Sequence, residues 1–380
     1  MSHNNPNEIS AVKIAVDAMG GDFAPEMAVK GAILAARAHN INTILVGDEP
    51  QVREELEKNE GLELPIEVYH ASEIIEMGEK PYHLIRKKKK SSLRLAFELV
   101  KENEAQAILS AGNSGAVVYG ALFIFKRLKN ISRPGIATIM PSLSGTVMVI
   151  DAGANTICKP QNLVQFALMG SVYFKHVFGL LDPRVGVLSN GEEETKGTEL
   201  TRQTNELLKK SSLNYIGYVE GREVFGGNVD IVVCDGFVGN VLLKVTEGVA
   251  ESIVINLKAE IQKRFLSRIG YLFARKSFLN FKKQLDYAEY GGAPLLGVKK
   301  PVIICHGKSN GRAFMNAIRV ANAYVQKDIT GKLIEELQYD KNLDSLRKRP
   351  SFIDKIFHPR SSQETSGSEV RDEKNDGCGE

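Results

Sequence analysis

The chain has 380 residues, 43% of them hydrophobic and 25% charged, which suffices for the core of one large or two medium-sized domains. A net charge of +3 is close to neutral and does not indicate nucleic acid as a partner. The polar start MSHNNPNEIS lacks the apolar region of a signal peptide, and no apolar run approaches the roughly 20 residues of a membrane span. The four cysteines show no CxxC or Cys/His spacing, so the sequence predicts neither a metal nor another cofactor. They are typical of a protein in a reducing, cytoplasmic setting.

Strand-like apolar runs alternate with helical patterns along most of the chain. Apolar runs of four to six residues without alternation are typical of strands that are buried on both faces of a parallel sheet. Six such runs, each ending in glycines and polar residues, lie at 11–22, 105–116, 146–155, 184–197, 229–240 and 301–311. Helical patterns lie at 25–40, 50–59, 91–103, 114–129, 159–178, 198–211 and 240–264. The alternation predicts an α/β fold with a doubly wound, mostly parallel sheet between two layers of helices.

Composition divides the chain into four parts. Residues 1–10 are predicted to be a flexible lead-in, and 11–330 a single α/β/α domain. Residues 331–359 are charged, with one short amphipathic stretch, and predict a partly helical extension. The polar segment 360–380 lacks core-forming residues and is predicted to be disordered.

The loop SAGNSGA at 110–116 follows one strand and opens a helix. Glycines allow backbone N–H groups to approach an anion, and a helix N-terminus favours negative charge. A plain strand-to-helix turn is about equally consistent with the loop, which is neither a Walker A nor a GxGxxG motif. The candidate phosphate-binding residues here are Ser110, Gly112, Asn113, Ser114 and Gly115.

Four further loops carry candidate residues at the ends of predicted strands, where open α/β sheets bind ligands. Each also has a simpler interpretation as a capped turn or a solvated charged loop, and a lone histidine is more often structural than catalytic. Lys196 and His306 could act on an anion or a proton. The predicted walls of the crevice are Asp17, Gly20, Gly21, Asp235 and Lys308, and Asn240 ends the loop at 234–240.

Segments along most of the chain resemble those of a known family. The segments KIAVDAMGGDFAPE, MGEKPYHLIRKKKKSS, SAGNSGA, IDAGAN, VLSNGEEETKGTE, CDGFVGN and HGKS are similar, in order, to the acyl-carrier-protein:phosphate acyltransferases called PlsX. The similarity extends from residue 13 to about 325. Ser114 stands where the family often has Thr, and Lys308 where a small residue is common.

The resemblance implies a homodimeric fold related to phosphotransacetylases and isocitrate dehydrogenases. It implies a reaction in which a long-chain acyl-carrier-protein thioester and inorganic phosphate give acyl phosphate and free carrier protein. The acyl phosphate then serves a membrane glycerol-phosphate acyltransferase in phospholipid synthesis. By the same resemblance Lys196 and Asn240 lie at the reacting centre, with His306 as proton donor or orienting group. Phosphate is itself the nucleophile, which agrees with the absence of a GxSxG or Cys/His signature.

Two basic regions predict partners. The run RKKKK places Arg86, Lys87, Lys88, Lys89 and Lys90 in a row, either as a solvated turn or as a docking site for an acidic carrier protein.

The second basic region, at 254–285, combines cations with an apolar face. Its residues Leu257, Ile261, Phe265, Ile269 and Leu272 recur every three or four positions. Such a face is more often core or dimer interface than membrane-bound, but the extra aromatic residues also fit an anionic bilayer, such as the inner face of the cell membrane. The family is similarly described as peripherally membrane-bound.

Two rival functions remain open from the sequence. One is a metal- and NAD-dependent dehydrogenase on a related fold, with Asp17, Asp151 and Asp235 as metal ligands. The other is a non-catalytic membrane scaffold that uses only 254–285. No dinucleotide fingerprint supports the first, and polar loops at every strand end disfavour the second.

Overall fold

A computed structural model describes residues 12–285 and 289–339 of the chain. The strands are β1 (Lys13–Asp17), β2 (Asn42–Gly47), β3 (Ile66–His70), β4 (Ala107–Ser110), β5 (Gly135–Ser142), β6 (Gly145–Ile150), β7 (Val185–Ser189), β8 (Tyr215–Glu220), β9 (Ile231–Val233), β10 (Ala293–Leu296) and β11 (Val302–Ile304). The α-helices are α1 (Glu26–His39), α2 (Glu49–Lys58), α3 (His83–Arg86), α4 (Ser92–Lys101), α5 (Ser114–Gly120), α6 (Pro160–Phe178), α7 (Glu199–Leu208), α8 (Gly236–Lys263), α9 (Phe265–Leu285), α10 (Gly311–Gln326) and α11 (Ile329–Tyr339). The predicted lead-in 1–10 and tail 360–380 lie outside the described residues, as does 340–359 of the predicted extension.

The described strands form one sheet in the order β3-β2-β1-β4-β11-β10-β5-β6-β9-β7-β8. All pairings are parallel except β11–β10, β10–β5 and β5–β6. Because these antiparallel pairings lie in series, the group β3-β2-β1-β4-β11 runs opposite to the group β6-β9-β7-β8. The predicted α/β fold with a mostly parallel sheet is confirmed, and this reversal is an addition that the sequence did not indicate.

Helices cover both faces of the first group of strands. Ile14 and Val16 of β1 pack in a cluster with α1, α2 and α10, while Ala15 between them packs with α4 and α5. Since side chains alternate across a strand, burial of all three requires a helical layer on each face. The unbroken apolar sequence of these strands therefore follows from the three-layer architecture.

The second group of strands is covered mainly by α6, α7 and α11. Their cluster includes Met148 and Ile150 of β6 and Ile231 and Val233 of β9. Val149 and Val232 face the other way and pack in a smaller cluster with residues of the loop that precedes β9.

Two helical predictions differ from the structure. The helix predicted over 114–129 is an α-helix only to Gly120, continues as a π-helical turn, Ala121–Phe125, and ends where Lys126 has a φ of 66°. The apolar face predicted between 257 and 272 is interrupted because Arg264 is extended and separates α8 from α9. Leu257 and Ile261 are half-buried on α8, whereas Phe265, Ile269 and Leu272 are exposed on α9. The main contact of α9 within the described fold is with α8.

Among the helices within 12–285 and 289–339, none combines the length and apolarity that a bilayer crossing requires.

Candidate active site

The polar loops form two groups, one at the end of each set of parallel strands. The loops after β1, β4 and β11 follow three neighbouring strands, and so do the loops after β6, β9 and β7. Ser110 pairs with Ile304 at the ends of β4 and β11, and Ile150 pairs with Val233 at the ends of β6 and β9. Through β10 and β5 these two pairs of strand ends lie at nearly the same level of the sheet, although the strands point in opposite directions.

The first group of loops is held together by buried polar contacts. The Ser110 hydroxyl donates to Asp17 Oδ2 at 2.7 Å and accepts from the Gly112 N–H at 3.0 Å. The Asp22 N–H donates to the Gly307 carbonyl at 2.8 Å, which joins the loop after β1 to the loop after β11. A Cβ at Gly20 would lie 2.7 Å from Asp17 Oδ2 and 2.8 Å from the Gly112 nitrogen, so only glycine allows this approach.

Asp17 is a buried carboxyl with an incomplete set of partners. Burial raises its pKa, and hydrogen bonds from the Ser92 and Ser110 side chains oppose that rise. Its Oδ1 atom is buried and accepts no hydrogen bond from any described residue. Asp17 and Ser110 therefore lie behind the loop and hold its shape. The Ser110 hydroxyl already donates one hydrogen bond and accepts another within the protein.

The Asn113 side chain also forms its hydrogen bonds within the protein. Its side-chain Oδ1 accepts from the Ala116 N–H at 3.0 Å and so caps α5. Its Nδ2 donates to the carbonyls of Met77 and Glu79 at 2.8 and 2.9 Å. Among the predicted phosphate-binding residues, Ser114 and Gly115 are the exposed ones.

Asp151 organises the second group of loops. Its Oδ1 accepts from the N–H groups of Ile136, Gly153 and Ala154 at 2.9 to 3.1 Å. Its Oδ2 accepts from the backbone and side-chain N–H groups of Asn155 at 2.7 and 2.8 Å. Burial raises the pKa of Asp151, and the hydrogen bonds from Ala154 and Asn155 act in the opposite direction. The carboxylate fixes the IDAGAN loop, a role that the motif alone did not identify.

Helix α8 connects the two groups of loops. Asp235 caps it by accepting from the N–H groups of Phe237 and Val238 at 2.9 and 3.0 Å, as the simpler interpretation of this residue expected. Asn240, in its second turn, lies against Gly153 of the IDAGAN loop. Two turns later Glu247 Oε2 lies 3.7 Å from His306 Nε2.

Seven helical residues span about 10.5 Å and return to the same face of the helix. Asn240 and Glu247, the residue that contacts His306, therefore lie on one face of α8. Glu247 had no signal in the sequence, because it lies in the interior of a long helix.

Lys196 lies in an exposed loop after β7. A Cβ at Gly191 would lie 2.7 Å from its Cγ, so the backbone of the loop folds closely around the base of this side chain. Its Nζ has no hydrogen bond or ion pair with any described residue, and the ammonium is available to an anion. Lys308 is also exposed, and its backbone N–H donates to His306 Nδ1 at 3.2 Å.

The three aspartates of the dehydrogenase hypothesis are already engaged. Asp17 accepts from Ser110, Asp151 accepts five hydrogen bonds from N–H groups, and Asp235 caps α8. Within the described part of the chain, no three residues of the types His, Cys, Asp or Glu form a group that could hold a metal ion.

The fold defined by this sheet and its helices is that of phosphotransacetylases. A phosphotransacetylase from Streptococcus pyogenes superposes with a TM-score of 0.53 at 18% identity, over 84% of this chain and 95% of that one. A branched-chain phosphotransacylase from Enterococcus faecalis superposes with a TM-score of 0.51 at 16% identity, over 83% of this chain and 99% of that one. The predicted phosphotransacetylase-like fold is thereby confirmed.

The chain belongs to the fatty acid synthesis protein family, whose model matches residues 12–332. A protein of Geotalea daltonii named phosphate acyltransferase is 53% identical over 341 residues, which cover 88% of this chain and 99% of the relative. A phosphate acyltransferase of Geobacter sulfurreducens is 54% identical over 327 residues, which cover 86% of this chain and 94% of the relative. The predicted membership of the PlsX family is confirmed.

Proposed function

We propose that this chain is a phosphate acyltransferase that converts long-chain acyl-acyl carrier protein and inorganic phosphate into acyl phosphate and free carrier protein. The strongest support is identity of more than half, over nearly the whole length, to relatives that are named phosphate acyltransferase. The loops at the strand ends add physical support, because they carry a glycine-rich segment, an exposed lysine and polar side chains on both halves of the sheet.

The chemistry requires three things of the site. It must hold phosphate, place one phosphate oxygen about 3–3.5 Å from the thioester carbon, and stabilise the oxyanion that forms on the carbonyl oxygen. Attack forms the C–O bond, and collapse of the tetrahedral intermediate then breaks the C–S bond. The carrier-protein thiolate leaves and takes up one proton, which is undemanding for a thiol with a pKa of about 8.5.

The residues are assigned to these tasks by their positions. The exposed Ser114 and Gly115 at the start of α5 supply N–H and hydroxyl donors to phosphate. Lys196 supplies positive charge to phosphate and to the developing oxyanion, and Asn240 supplies amide donors at the same centre. His306, oriented by Glu247 and by the Lys308 N–H, donates or relays the proton to the leaving thiolate.

The partners follow from charge and apolar exposure. Arg86, Lys87, Lys89 and Lys90 are exposed and form a basic rim suited to a small acidic carrier protein. The exposed apolar residues of α9 are suited to the inner surface of an anionic membrane, which the product needs in order to reach a membrane glycerol-phosphate acyltransferase. The functional unit is a cytoplasmic, peripherally membrane-associated homodimer.

The direct test is incubation of the purified protein with palmitoyl-acyl carrier protein and phosphate, followed by trapping of acyl phosphate with hydroxylamine. We expect phosphate-dependent formation of the hydroxamate, and release of free carrier protein in equal amount. Release of carrier protein without phosphate would identify a thioesterase instead. A thermal shift of the protein that depends on a nicotinamide nucleotide would favour the dehydrogenase-type alternative.

A further inference from the structure

Lys88 differs from the other members of the basic run. Its Nζ donates to the Ile74 carbonyl at 2.6 Å and forms an ion pair with Glu79 at 2.5 Å. The side chain is 29% exposed, whereas Lys87 and Lys89 on either side of it are exposed. An ammonium group held by two partners in this way is not available to an incoming acidic protein.

The segment that Lys88 holds is the one that Asn113 holds from the opposite side. Asn113 Nδ2 donates to the carbonyls of Met77 and Glu79, while its Oδ1 accepts from Ala116 at the start of α5. Residues 74–79 are therefore fixed between the Lys88 ammonium and the Asn113 amide. Glu79 is common to both, through its carboxylate on one side and its carbonyl on the other.

Packing connects the same segment to α5. A Cβ at Gly115 would lie 3.1 Å from Pro81 Cγ, and a Cβ at Gly120 would lie 2.7 Å from Leu84 Cδ2. Leu84 is fully buried on the short helix α3. A displacement of 74–88 would therefore reach both the first and the last turn of α5.

We propose that Lys88 and Glu79 are positioning residues for the phosphate-binding loop, and that Lys88 does not belong to the carrier-protein docking surface. The inference rests on the proposed function, because it assigns these residues to the binding of one of its two substrates. Glu79 Oε2 is buried and accepts no hydrogen bond from the described residues, and the His83 ring lies 3.8 Å from it. Loss of Lys88 leaves this carboxylate poorly compensated, so the segment shifts and the Asn113 cap weakens.

The test compares Lys88→Met with Lys89→Met, a matched neighbour whose side chain is exposed. We expect Lys88→Met to raise the KM for phosphate roughly tenfold, about the loss of one charge-assisted hydrogen bond. The KM for acyl-acyl carrier protein and its salt dependence should stay within about twofold of the wild type. Lys89→Met should show the reverse: a higher KM for the carrier protein with weaker salt dependence, and an unchanged KM for phosphate. The same pattern in both variants would overturn the inference.

A second variant protects the test against simple misfolding. Glu79→Gln keeps the backbone carbonyl that Asn113 uses and removes only the ion pair. It should raise the KM for phosphate as Lys88→Met does, and the double variant should be little worse than either single variant, because both remove one interaction. Lys88→Arg should restore much of the phosphate affinity. An unchanged KM for phosphate in Glu79→Gln contradicts the inference even if Lys88→Met does not fold.

The two hypotheses fail in distinguishable ways. If the wild-type protein forms no hydroxylamine-reactive product, the proposed function is wrong. If the wild type forms it, and Lys88→Met, Glu79→Gln and the double variant keep the wild-type KM for phosphate, only the positioning role is wrong. Melting temperatures of the variants separate a local shift of the loop from general loss of structure.

Discussion

At the scale of single residues, the two proposed reacting-centre side chains make the strongest prediction. Lys196→Ala and Asn240→Ala should each lower turnover by roughly a hundredfold or more, as the loss of one donor to a developing oxyanion does. Both are polar side chains outside the apolar clusters, so melting temperatures should change little. Turnover is measured by release of free carrier protein.

The chain offers matched controls for both substitutions. Lys210 is an exposed lysine after α7, and Asn256 is an exposed asparagine further along α8. Lys210→Ala and Asn256→Ala should keep wild-type turnover. Near-normal turnover in Lys196→Ala or Asn240→Ala would mean that the reacting centre lies elsewhere.

The buried carboxyl of Asp17 predicts a dependence of stability on pH. Its pKa in the folded protein is raised by burial above the ordinary value of 3.8. Below that value both the folded and the unfolded chain hold the proton, and Asp17 contributes no pH dependence. As the pH rises above it, the unfolded chain releases the proton first, so the free energy of unfolding falls until the folded-state pKa is passed.

Asp17→Asn removes this titration and keeps an oxygen that can accept from Ser110. Relative to the wild type, the variant should therefore gain stability as the pH rises above the ordinary carboxyl pKa of 3.8. Urea unfolding at several pH values measures the difference, and a constant offset from the new amide does not affect it. Parallel curves for the two proteins would show that Asp17 titrates normally.

The same residues show what the sequence could and could not reveal. Glycine-rich strand ends marked the loops correctly, since close approaches such as Gly20 to Gly112 leave a visible signature. The sequence did not show that the Ser110 and Asn113 side chains point into the protein, because a polar side chain serves a loop or a ligand equally well. Glu247 was invisible, since its contact with His306 depends on how α8 crosses the sheet.

At the scale of elements, α8 is the part of the fold on which the site depends most. Its first turns pack so closely on the loop after β6 that a Cβ at Gly239 would overlap the Asp151 carbonyl oxygen. A Cβ at Gly248, on the same helix, would have no described atom within 4 Å outside its own helix turn. Substituting Gly239 therefore tests the position of α8 against the loop, whereas substituting Gly248 tests only the helix propensity of that residue.

Gly239→Ala should destabilise the protein by about 1–3 kcal/mol through overpacking, and should lower turnover because Asn240 is displaced. Gly248→Ala should stabilise α8 by up to about 1 kcal/mol and leave turnover unchanged. Chemical denaturation and the carrier-protein release assay measure both effects. Equal effects of the two substitutions would mean that the start of α8 can shift at little cost.

The apolar periodicity of the sequence did not predict where one helix ends and the next begins. The apolar spacing from Leu257 to Leu272 continues through Arg264 without a gap, so the sequence predicted one helical face. The extended conformation of Arg264 ends α8 there, and it involves neither proline nor glycine. Nothing in the local sequence signalled this break. By contrast, the capped turn at Asp235 was readable from the sequence, although the helical pattern was placed at 240–264 and α8 begins at Gly236.

At the scale of the whole molecule, the reversal of strand direction explains how polar loops from both halves of the sheet come to lie on either side of β10 and β5. The loops after β1, β4 and β11 and the loops after β6, β9 and β7, which run the other way, begin at nearly the same level of the sheet, with β10 and β5 between them. The order of the strands could not be deduced from their apolar runs, because a strand that is buried on both faces carries no sign of its neighbours.

Helix α9 presents a strongly exposed apolar surface. Leu266 and Phe273 are 79% and 88% exposed and, two turns apart, lie on the same face of α9. Cations flank them, among them Arg268, Arg275 and Lys276, which are exposed as well. Apolar insertion and attraction to anionic lipid are each weak, and stable peripheral binding generally takes both.

Leu266→Glu combined with Phe273→Glu should therefore release the protein from vesicles that contain anionic lipid, as measured by flotation. Leu143 at the turn between β5 and β6 is 89% exposed, so Leu143→Glu is a matched control that should still float. Turnover on soluble acyl-acyl carrier protein should survive in both variants, because none of the proposed site residues lies on α9. Size-exclusion chromatography separates the competing explanation: a monomer or an aggregate of the double variant would assign this face to the dimer interface, whereas an active dimer that no longer floats would assign it to the membrane.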